Sequence, residues 1–452
     1  MKKTIIAFLF LLFSVFPVFG EYDIYVLAAP YGTVTDSVPW RSLKRVLMGM
    51  KTGYFDTLLM SPQTQTVFGA IPSGTLQCEP AENLLKSAWN GERVFALIPF
   101  DTLDPRWKVI RVDGVSPLDF GFEPGPYPLK TELPAGESSN FDPEKLTSLT
   151  LTGTTALARQ LAAKMDRKGV LMPAEKIGET LAASDITHIS SESSFMEGCP
   201  ADSPEQRFCS RPEYFALLEK IGTDIVELTG NHNLDYLAET GFDSYFTSLD
   251  LFHGAGMRTY GGGVNSEDAR VPLKIEHHGN KLAFLGCNAM GPENAWASED
   301  TPGAARCDLD WLKSEIAALR ADGWLPIVTL QHFEYVWYDV PPQQSHDFFE
   351  LAEAGAVIVS GSQAHIPQGM TFVGDHFIHF GLGNLFFDQM SDVERTSFFD
   401  RHYFYDGRYI GNVLETIILE DYSQPRFLTE EERTAFLDLI FSTCEWRKVF
   451  TQ

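Results

Sequence analysis

Positive charge is scarce in this chain. Its 35 lysines and arginines stand against 61 aspartates and glutamates, a formal charge of −26 over 452 residues. A surface so poor in cations cannot neutralise a phosphate backbone, which excludes nucleic acid as a partner. It also repels polyanions in general, so a phosphate or polyglutamate group has to be met by a local arginine or a metal. Cysteine is sparse as well, 6 residues with no CxxC pair, which argues against a cysteine-bound zinc. Beyond residue 20 no apolar run is long enough to cross a bilayer. The triplet Gly261–Gly263 lacks the strand, the GxGxxG spacing and the Lys-Ser/Thr of a nucleotide loop. No Gly-x-Ser-x-Gly occurs, so Ser190, Ser191, Ser193 and Ser194 do not form a nucleophile elbow. Internal repeats and low-complexity tracts are absent.

What is present begins with MKKTIIAFLFLLFSVFPVFG, two lysines ahead of an apolar run that closes on small residues. This reads as a secretory signal over residues 1–20, and no cysteine follows it to make a lipoprotein. The expected location is therefore exported: periplasmic, associated with the cell envelope, or extracellular, with no transmembrane helix once the signal is removed. Loss of Lys2 and Lys3 with the leader takes the charge from −26 to −28, counting side chains only. The remaining chain is too long for one ordinary core and implies about two or three domains. Export permits disulfides. Cys199 and Cys209 lie in one short loop and are expected to be bridged with Cα atoms roughly 5–6 Å apart. Cys287 and Cys307 flank another loop and offer a second bridge, while Cys78 and Cys444 remain far apart in sequence.

Residues 21–140 alternate strand-like segments (EYDIYVLAAP, RVFALIPF, WKVIRVDG) with Pro/Gly-rich turns and end in an aperiodic, proline-rich stretch. They read as a smaller N-terminal α/β domain plus linker. The fragment LIPFDTLDPRWKVIRVDGVSPLD, followed by YPL, is similar to segments of periplasmic solute-binding domains. From 147 to 452 strands and helices alternate regularly. Strands are expected at TSLTLTG, ITHISSES, TDIVELTGNH, WLPIVTLQ, AVIVSGSQ and HFIHFGLGN. Helices are expected over 156–169, 174–185, 212–222, 242–256, 308–323 and 345–355, with hairpins turning at Gly279-Asn280 and Asp406-Gly407. Polar residues gather where the apolar strands end: Thr154, Glu192, Asn231, His232, Asp235, Gln331, Glu334, Gln363, His365, Asn384 and Asp388. Ligands and catalytic groups of α/β sheets collect at such strand tips, and oxygen and imidazole donors from several tips build a metal site.

Three segments give this pattern a family resemblance. TGNHNLDY resembles the metallophosphoesterase GNH signature as used in the CapA family of bacterial capsule and poly-γ-glutamate synthesis proteins. SGSQAHIPQG is similar to that family's Gly-His-His-Pro-His-Val-x-Gln element, and IHFGLGNLFFDQ to its Tyr-Ser-Leu-Gly-Asn-Phe-x-Phe-Asp, in the same order over roughly residues 147–420. The resemblance implies a calcineurin-like four-layer α/β/β/α sandwich, a metallophosphatase-like domain, and a role in envelope polymer assembly or processing. The departures are specific. Gly153-Thr154-Thr155 replaces the family's Gly-Asp, with Arg159 retained; Ser190-Ser191-Glu192 keeps only the carboxylate of Asn-Leu-Glu. Leu330 stands in a histidine column and Gln363 replaces the first histidine of a pair.

Two readings follow. In the first, a metallophosphatase-like hydrolase or transferase holds one divalent ion with Glu192, Asn231, His232 and His365. Glu334, His332 or His232 then supplies acid–base chemistry, and Arg159, Gln331, Tyr335, Gln363 and Asn384 contact the envelope polymer or its precursor. In the second, the neutral replacements mark a non-catalytic scaffold that grips a glycan or peptide-like polymer through amides and through Tyr335, Trp337 and Tyr338. Each residue also has a plainer role: Glu192 as a solvated carboxylate, Arg159 as a solvated helix cation, Asn384 as a bond to turn backbone. His277 and His278 flank a turn, and His376 and His379 alternate with apolar neighbours.

Overall fold

The structure is a computed structural model that describes residues 22–134, 136–200, 206–389 and 391–450. The leader expected over residues 1–20 lies outside these described residues. Residues 22–132 carry their own sheet, built around the strand Tyr22–Pro30 with Val94–Pro99 and Trp107–Val112 as antiparallel neighbours. The helices Trp40–Leu47, Pro62–Phe68 and Leu84–Asn90 intervene between its strands.

The rest of the chain forms two facing sheets. The first orders strands Arg258–Tyr260, Ile225–Glu227, Ile186–Ser191, Leu146–Thr152, Thr396–Tyr405, Arg408–Glu420 and Gln424–Phe427. The second orders Leu273–His277, Asn280–Asn288, Leu325–Gln331, Ile358–Ser360, His376–His379 and Met370–Val373. Successive side chains of a strand point to opposite faces, and the buried residues divide accordingly. Leu149, Leu151, Ile186 and Ile225 of the first sheet meet Leu282, Phe284, Ile327, Ile358 and Phe377 of the second in one inner core. Their chain neighbours face outward. Ile189 and Val226 pack under Leu161, Met165, Leu249 and Phe252 of helices Arg159–Lys168 and Asp243–Gly254. Ala283, Val328, Val359 and Ile378 pack under Leu312, Ile316, Phe348 and Leu351 of helices Leu309–Ala321 and Pro342–Glu353. The architecture is thus a four-layer α/β/β/α sandwich. Near-continuous apolar strands are what sheets covered on both faces require.

Local departures from the sequence reading have physical causes. The helix expected from residue 156 starts at Arg159, because Thr154–Thr155 is drawn into a strand between Ser190–Ser191 and Asn384–Phe386. The helix expected over 174–185 contracts to Gly178–Ala182 behind a 3-10 turn at Met172–Ala174; Pro173 and Gly178 are both poor helix formers. The first hairpin turns one residue earlier than expected, with His277 opposite Asn280 and the turn made by His278 (φ 48°) and Gly279 (φ 76°). The second turns at Asp406 (φ 51°) and Gly407 (φ 74°) as the sequence implies. Both bridges form: Cys199–Cys209 with Cα atoms 5.9 Å apart, and Cys287–Cys307 at 5.0 Å. Cys78 and Cys444 are free. Among the described residues no helix is long and apolar enough to cross a membrane.

Polar groups stitch the layers together. Asp36 binds Lys108 at 2.7 Å and Arg433 at 2.6 Å, joining the N-terminal sheet to the helix Glu430–Thr443. Between the sandwich sheets, His379 Nδ1 lies 2.6 Å from Asp400 Oδ2; within the first sheet, His402 Nδ1 lies 3.0 Å from the Tyr409 hydroxyl. Burial pushes His402 down to about 4, Asp400 opposing and His379 reinforcing the effect. An unfolded histidine takes its proton near pH 6.5, so His402 contributes stability that is complete above that pH and is lost as pH falls through the window to about 4. The contribution is about 3 kcal/mol at its fullest. Denaturant midpoints measured from pH 7.5 to 4.5 should fall less steeply for His402→Phe than for the parent. Equal slopes would mean that His402 does not resist protonation.

Candidate metal centre

The parallel strands of both sheets aim their C-terminal ends at one rim. Glu192 follows the strand Ile186–Ser191; Asn231 and His232 follow Ile225–Glu227; Glu334 follows Leu325–Gln331; His365 follows Ile358–Ser360. Two glycines make the convergence possible. A Cβ on Gly230 would stand 2.3 Å from the Ser191 carbonyl oxygen and 2.7 Å from Glu192 Cα. A Cβ on Gly153 would stand 1.9 Å from the Gly383 carbonyl oxygen, so Thr154 could not pair with Asn384.

Each histidine is held from behind. His232 Nδ1 lies 2.6 Å from Asp235 Oδ2, and its ring sits 4.2 Å from that of Phe208. His365 Nδ1 lies 2.9 Å from Asn384 Oδ1, while the Asn384 amide donates to the His365 carbonyl at 3.2 Å. These partners accept a hydrogen bond from Nδ1–H and leave Nε2 facing forward. Such outer partners orient the imidazoles of metal sites. Both Nε2 atoms face one carboxylate oxygen, Glu192 Oε1, at 3.7 Å from His232 and 4.0 Å from His365. Glu334 Oε1 closes the group, 3.6 Å from His365 Nε2 and 3.5 Å from the Asn231 amide.

Buried acceptors at the rim lack donors. Glu192 is fully buried, yet neither carboxylate oxygen has a hydrogen-bond partner; Asn231 Oδ1 is likewise unpartnered. A buried acceptor with no donor is costly, and several of them around two forward-facing imidazole nitrogens match the donor set of a divalent ion. Glu192, Glu334 and His365 bring one ligand atom each to within 4.8 Å of one another. Burial raises the Glu192 carboxyl, with His365 and His232 opposing. Burial works against a proton on His365, but Glu334 and Glu192 outweigh it and push the imidazole up to about 9. His232 is raised too: burial opposes, and Asp235 and Glu192 prevail. The His365 hydrogen bond lowers Glu334. Both shifts favour the charged imidazole beside these carboxylates.

The remaining predicted residues divide. Gln363 has both amide atoms buried and unpartnered; the Thr154 hydroxyl and Gln331 Nε2 are also unpartnered, Gln331 Oε1 being taken by Asn288 at 2.9 Å. Arg159 is not a solvated cation. Its Nε binds Asp388 Oδ1 at 2.7 Å and its guanidinium lies against Phe208 and Phe387. Asn384 both orients His365 and bonds backbone, donating to Glu394 O at 3.1 Å. His332 does not join the cluster: its Nε2 lies 3.0 Å from Asp347 Oδ2, on the helix Pro342–Glu353. Tyr335 is exposed. The sequence reading missed Glu227, His188 and Ser362, which lie buried beneath the rim. The available signal was a carboxylate inside the apolar run DIVEL, which must find a partner.

The family model for bacterial capsule synthesis protein PGA_cap matches residues 148–389. The chain is 25% identical over 184 residues to the capsule biosynthesis protein CapA of Bacillus anthracis, covering 40% of this chain and 44% of that protein. It is 22% identical over 265 residues to the PGA biosynthesis protein CapA of Bacillus subtilis (strain 168), covering 58% of this chain and 67% of that protein. Its match therefore spans less than half the length of the Bacillus anthracis relative. Among solved structures, a 5'-nucleotidase precursor from Thermus thermophilus is similar over 65% of this chain and 58% of that one, at 12% identity and a TM-score of 0.35.

The Asp388 carboxylate also accepts the Gln160 backbone N–H at 2.7 Å, so it caps the start of helix Arg159–Lys168 while holding the arginine. Asp388→Asn removes the charge from both bonds and should lower unfolding free energy by about 1.5–3 kcal/mol in urea titrations. A change under about 0.5 kcal/mol would show that the pair is only a surface contact.

Proposed function

This chain belongs to the bacterial capsule synthesis protein PGA_cap family, and on that premise we propose that it assembles or processes a cell-envelope polymer at a site built for a single divalent ion. The observation that carries the proposal is the pair of imidazoles, each fixed through Nδ1 and each turning Nε2 toward the unpartnered Glu192 carboxylate. Glu192, His232, His365 and Asn231 would hold the ion, with Glu334 beside them. A bound divalent ion would act as a Lewis acid on a carbonyl or phosphoryl oxygen.

The chain's own groups have distinct tasks in this reading. Glu334, its pKa lowered by His365, is ionised at neutral pH and suits a general base. His232, backed by Asp235 Oδ2 at 2.6 Å from its Nδ1, is oriented to hold the ion through Nε2. Gln331, Gln363 and Thr154 offer hydrogen bonds to a substrate. Arg159 contributes by holding Asp388 and the Phe208–Phe387 wall, not by a free charge. Export to the cell envelope belongs to the same proposal. A second reading, a polymer-binding scaffold without turnover, is favoured by one observation: three of the rim residues, Thr154, Gln331 and Gln363, are neutral. Such residues lack the charge that offsets dehydration of a second cation.

Metal analysis separates the readings. Titration of the chelator-treated protein with Mn²⁺ or Zn²⁺ should saturate at one ion per chain. Asn384→Asp, which keeps the bond behind His365 Nδ1 and alters the donors to the His365 and Glu394 carbonyls, should change binding less than Asn384→Leu, which removes both and should weaken it about 10–100-fold. Thr154→Asp combined with Gln363→His should raise the stoichiometry, because it returns two ligands to one rim. Two ions in the unmodified protein, with brisk phosphodiesterase turnover, would overturn the single-ion reading. Absence of any ion would leave the scaffold.

A further inference from the structure

Residues 207–210 back the metal centre at several points. The Phe208 backbone N–H donates to Asp235 Oδ2 at 2.7 Å, and the same oxygen lies 2.6 Å from His232 Nδ1. Arg207 donates to the Asp235 carbonyl at 3.0 and 2.8 Å. Asp235 is thus gripped at its carboxylate and at its backbone. Phe208 is buried, so its carboxylate partner cannot turn away from His232 without stranding a buried N–H. The Phe208 ring extends the contact. It stands 4.2 Å from the His232 ring and 5.4 Å from the Phe387 ring, and Phe387 stands 5.1 Å from the His365 ring. The Arg159 guanidinium lies over both phenylalanines and is fixed there by Asp388. Two imidazoles from different strand ends therefore rest on one aromatic wall, at the separations of packed rings.

We infer that Phe208 is a positioning residue of the metal centre and that the Cys199–Cys209 bridge is the clamp that sets it. The inference rests on the reading of the rim as a metal site and adds to it a group that acts only through the imidazoles. Cys209 follows Phe208 directly, and Cys199 lies seven residues past Glu192. The two arms are also paired through backbone: Met196 N–H donates to Ser210 O at 2.8 Å, and Ser210 N–H donates to Ser194 O at 2.9 Å. A closed path results. It runs along the chain from Glu192 to Cys199 and across the bridge to Phe208. It passes through Asp235 to His232 and returns over 3.7 Å to Glu192 Oε1. The bridge therefore references the back of His232 to the chain that carries the carboxylate it faces. Partners behind a metal-binding imidazole fix its direction, and their loss is felt in metal affinity. The second bridge, Cys287–Cys307, starts from the strand Asn280–Asn288, which supplies no member of the cluster.

Two readouts on the full, chelator-treated protein test this. One is calorimetric titration with Mn²⁺ or Zn²⁺. The other is the rate at which the His232 Nδ1–H proton exchanges with water in the metal-free protein, followed by NMR well below the melting temperature. Phe208→Ala should weaken metal binding about 10–100-fold and speed the exchange. Phe208→Leu, which keeps an apolar body against the imidazole, should retain most of the affinity. Cys199→Ser with Cys209→Ser should act like Phe208→Ala, while Cys287→Ser with Cys307→Ser should change neither readout. A lower melting temperature for Phe208→Ala with both readouts unchanged would make Phe208 a packing residue and overturn the inference. Equal losses in the two bridge variants would overturn the clamp. If the Cys199/Cys209 variant does not fold, the Phe208 pair decides. If the unmodified protein takes up no ion, the metal reading fails, and the exchange rate alone upholds or overturns the positioning of His232.

Discussion

A carboxylate removed from water holds the two sheets in register beneath the rim. Glu227 is fully buried at the end of the strand Ile225–Glu227. Its Oε1 accepts the Thr229 hydroxyl at 2.6 Å; its Oε2 accepts the Ser362 hydroxyl and lies 3.5 Å from His188 Nε2. Burial alone would raise this carboxyl, but His188 and the two hydroxyls reverse the effect and lower it, so the charge persists. Four residues past Glu227 comes Asn231, and one past Ser362 comes Gln363. The tie therefore joins the loop that carries His232 to the loop that carries His365, across the gap between sheets. A buried charge with its partners already in place tolerates little displacement, because any shift leaves it uncompensated. That intolerance keeps two imidazoles from different sheets aimed at one carboxylate.

Above the tie the logic is inverted. Glu227 has its donors; Glu192, equally buried, has none. The two carboxylates end neighbouring parallel strands and differ only in what surrounds them. One is a structural bond; the other has no hydrogen-bond donor and faces only the imidazoles of His232 and His365, at 3.7 and 4.0 Å. On the proposed reading a cation would displace a proton from Nε2 of each imidazole, so its binding would depend on pH. The neutral rim of Thr154, Gln331 and Gln363 sets the limit: it supplies hydrogen bonds and no further charge.

The sandwich was legible in the sequence wherever burial on both faces produced short, nearly unbroken apolar runs with polar ends. The strand tips at Glu192, Asn231-His232 and His365 were legible for the same reason, since nothing else accounts for polar residues closing such runs. Two cysteine pairs were legible from proximity along the chain. Elements decided by tertiary pairing were not. Thr154–Thr155 is a strand because Ser190–Ser191 and Asn384–Phe386 flank it, although the sequence beyond it is helical in pattern. His332 and Glu334 stand two residues apart after one strand, and only packing decides that the first turns to Asp347 and the second to His365. Arg159 looked like an anion contact because its partner Asp388 lies 229 residues away.

That division of His332 from Glu334 has a consequence for how the centre works. Glu192, His232 and His365 stand close behind strand ends that are buried on both faces. Glu334 is the most exposed of the four, its side chain 35% uncovered against 18% for His232, 9% for His365 and none for Glu192. Its loop is fixed on one side by His332 on Asp347 and on the other by Gln368 on the Asp339 carbonyl, so packing at both ends holds Glu334 at the open side of the cluster. The tie at Glu227 fixes in turn the loops of His232 and His365 that Glu334 faces.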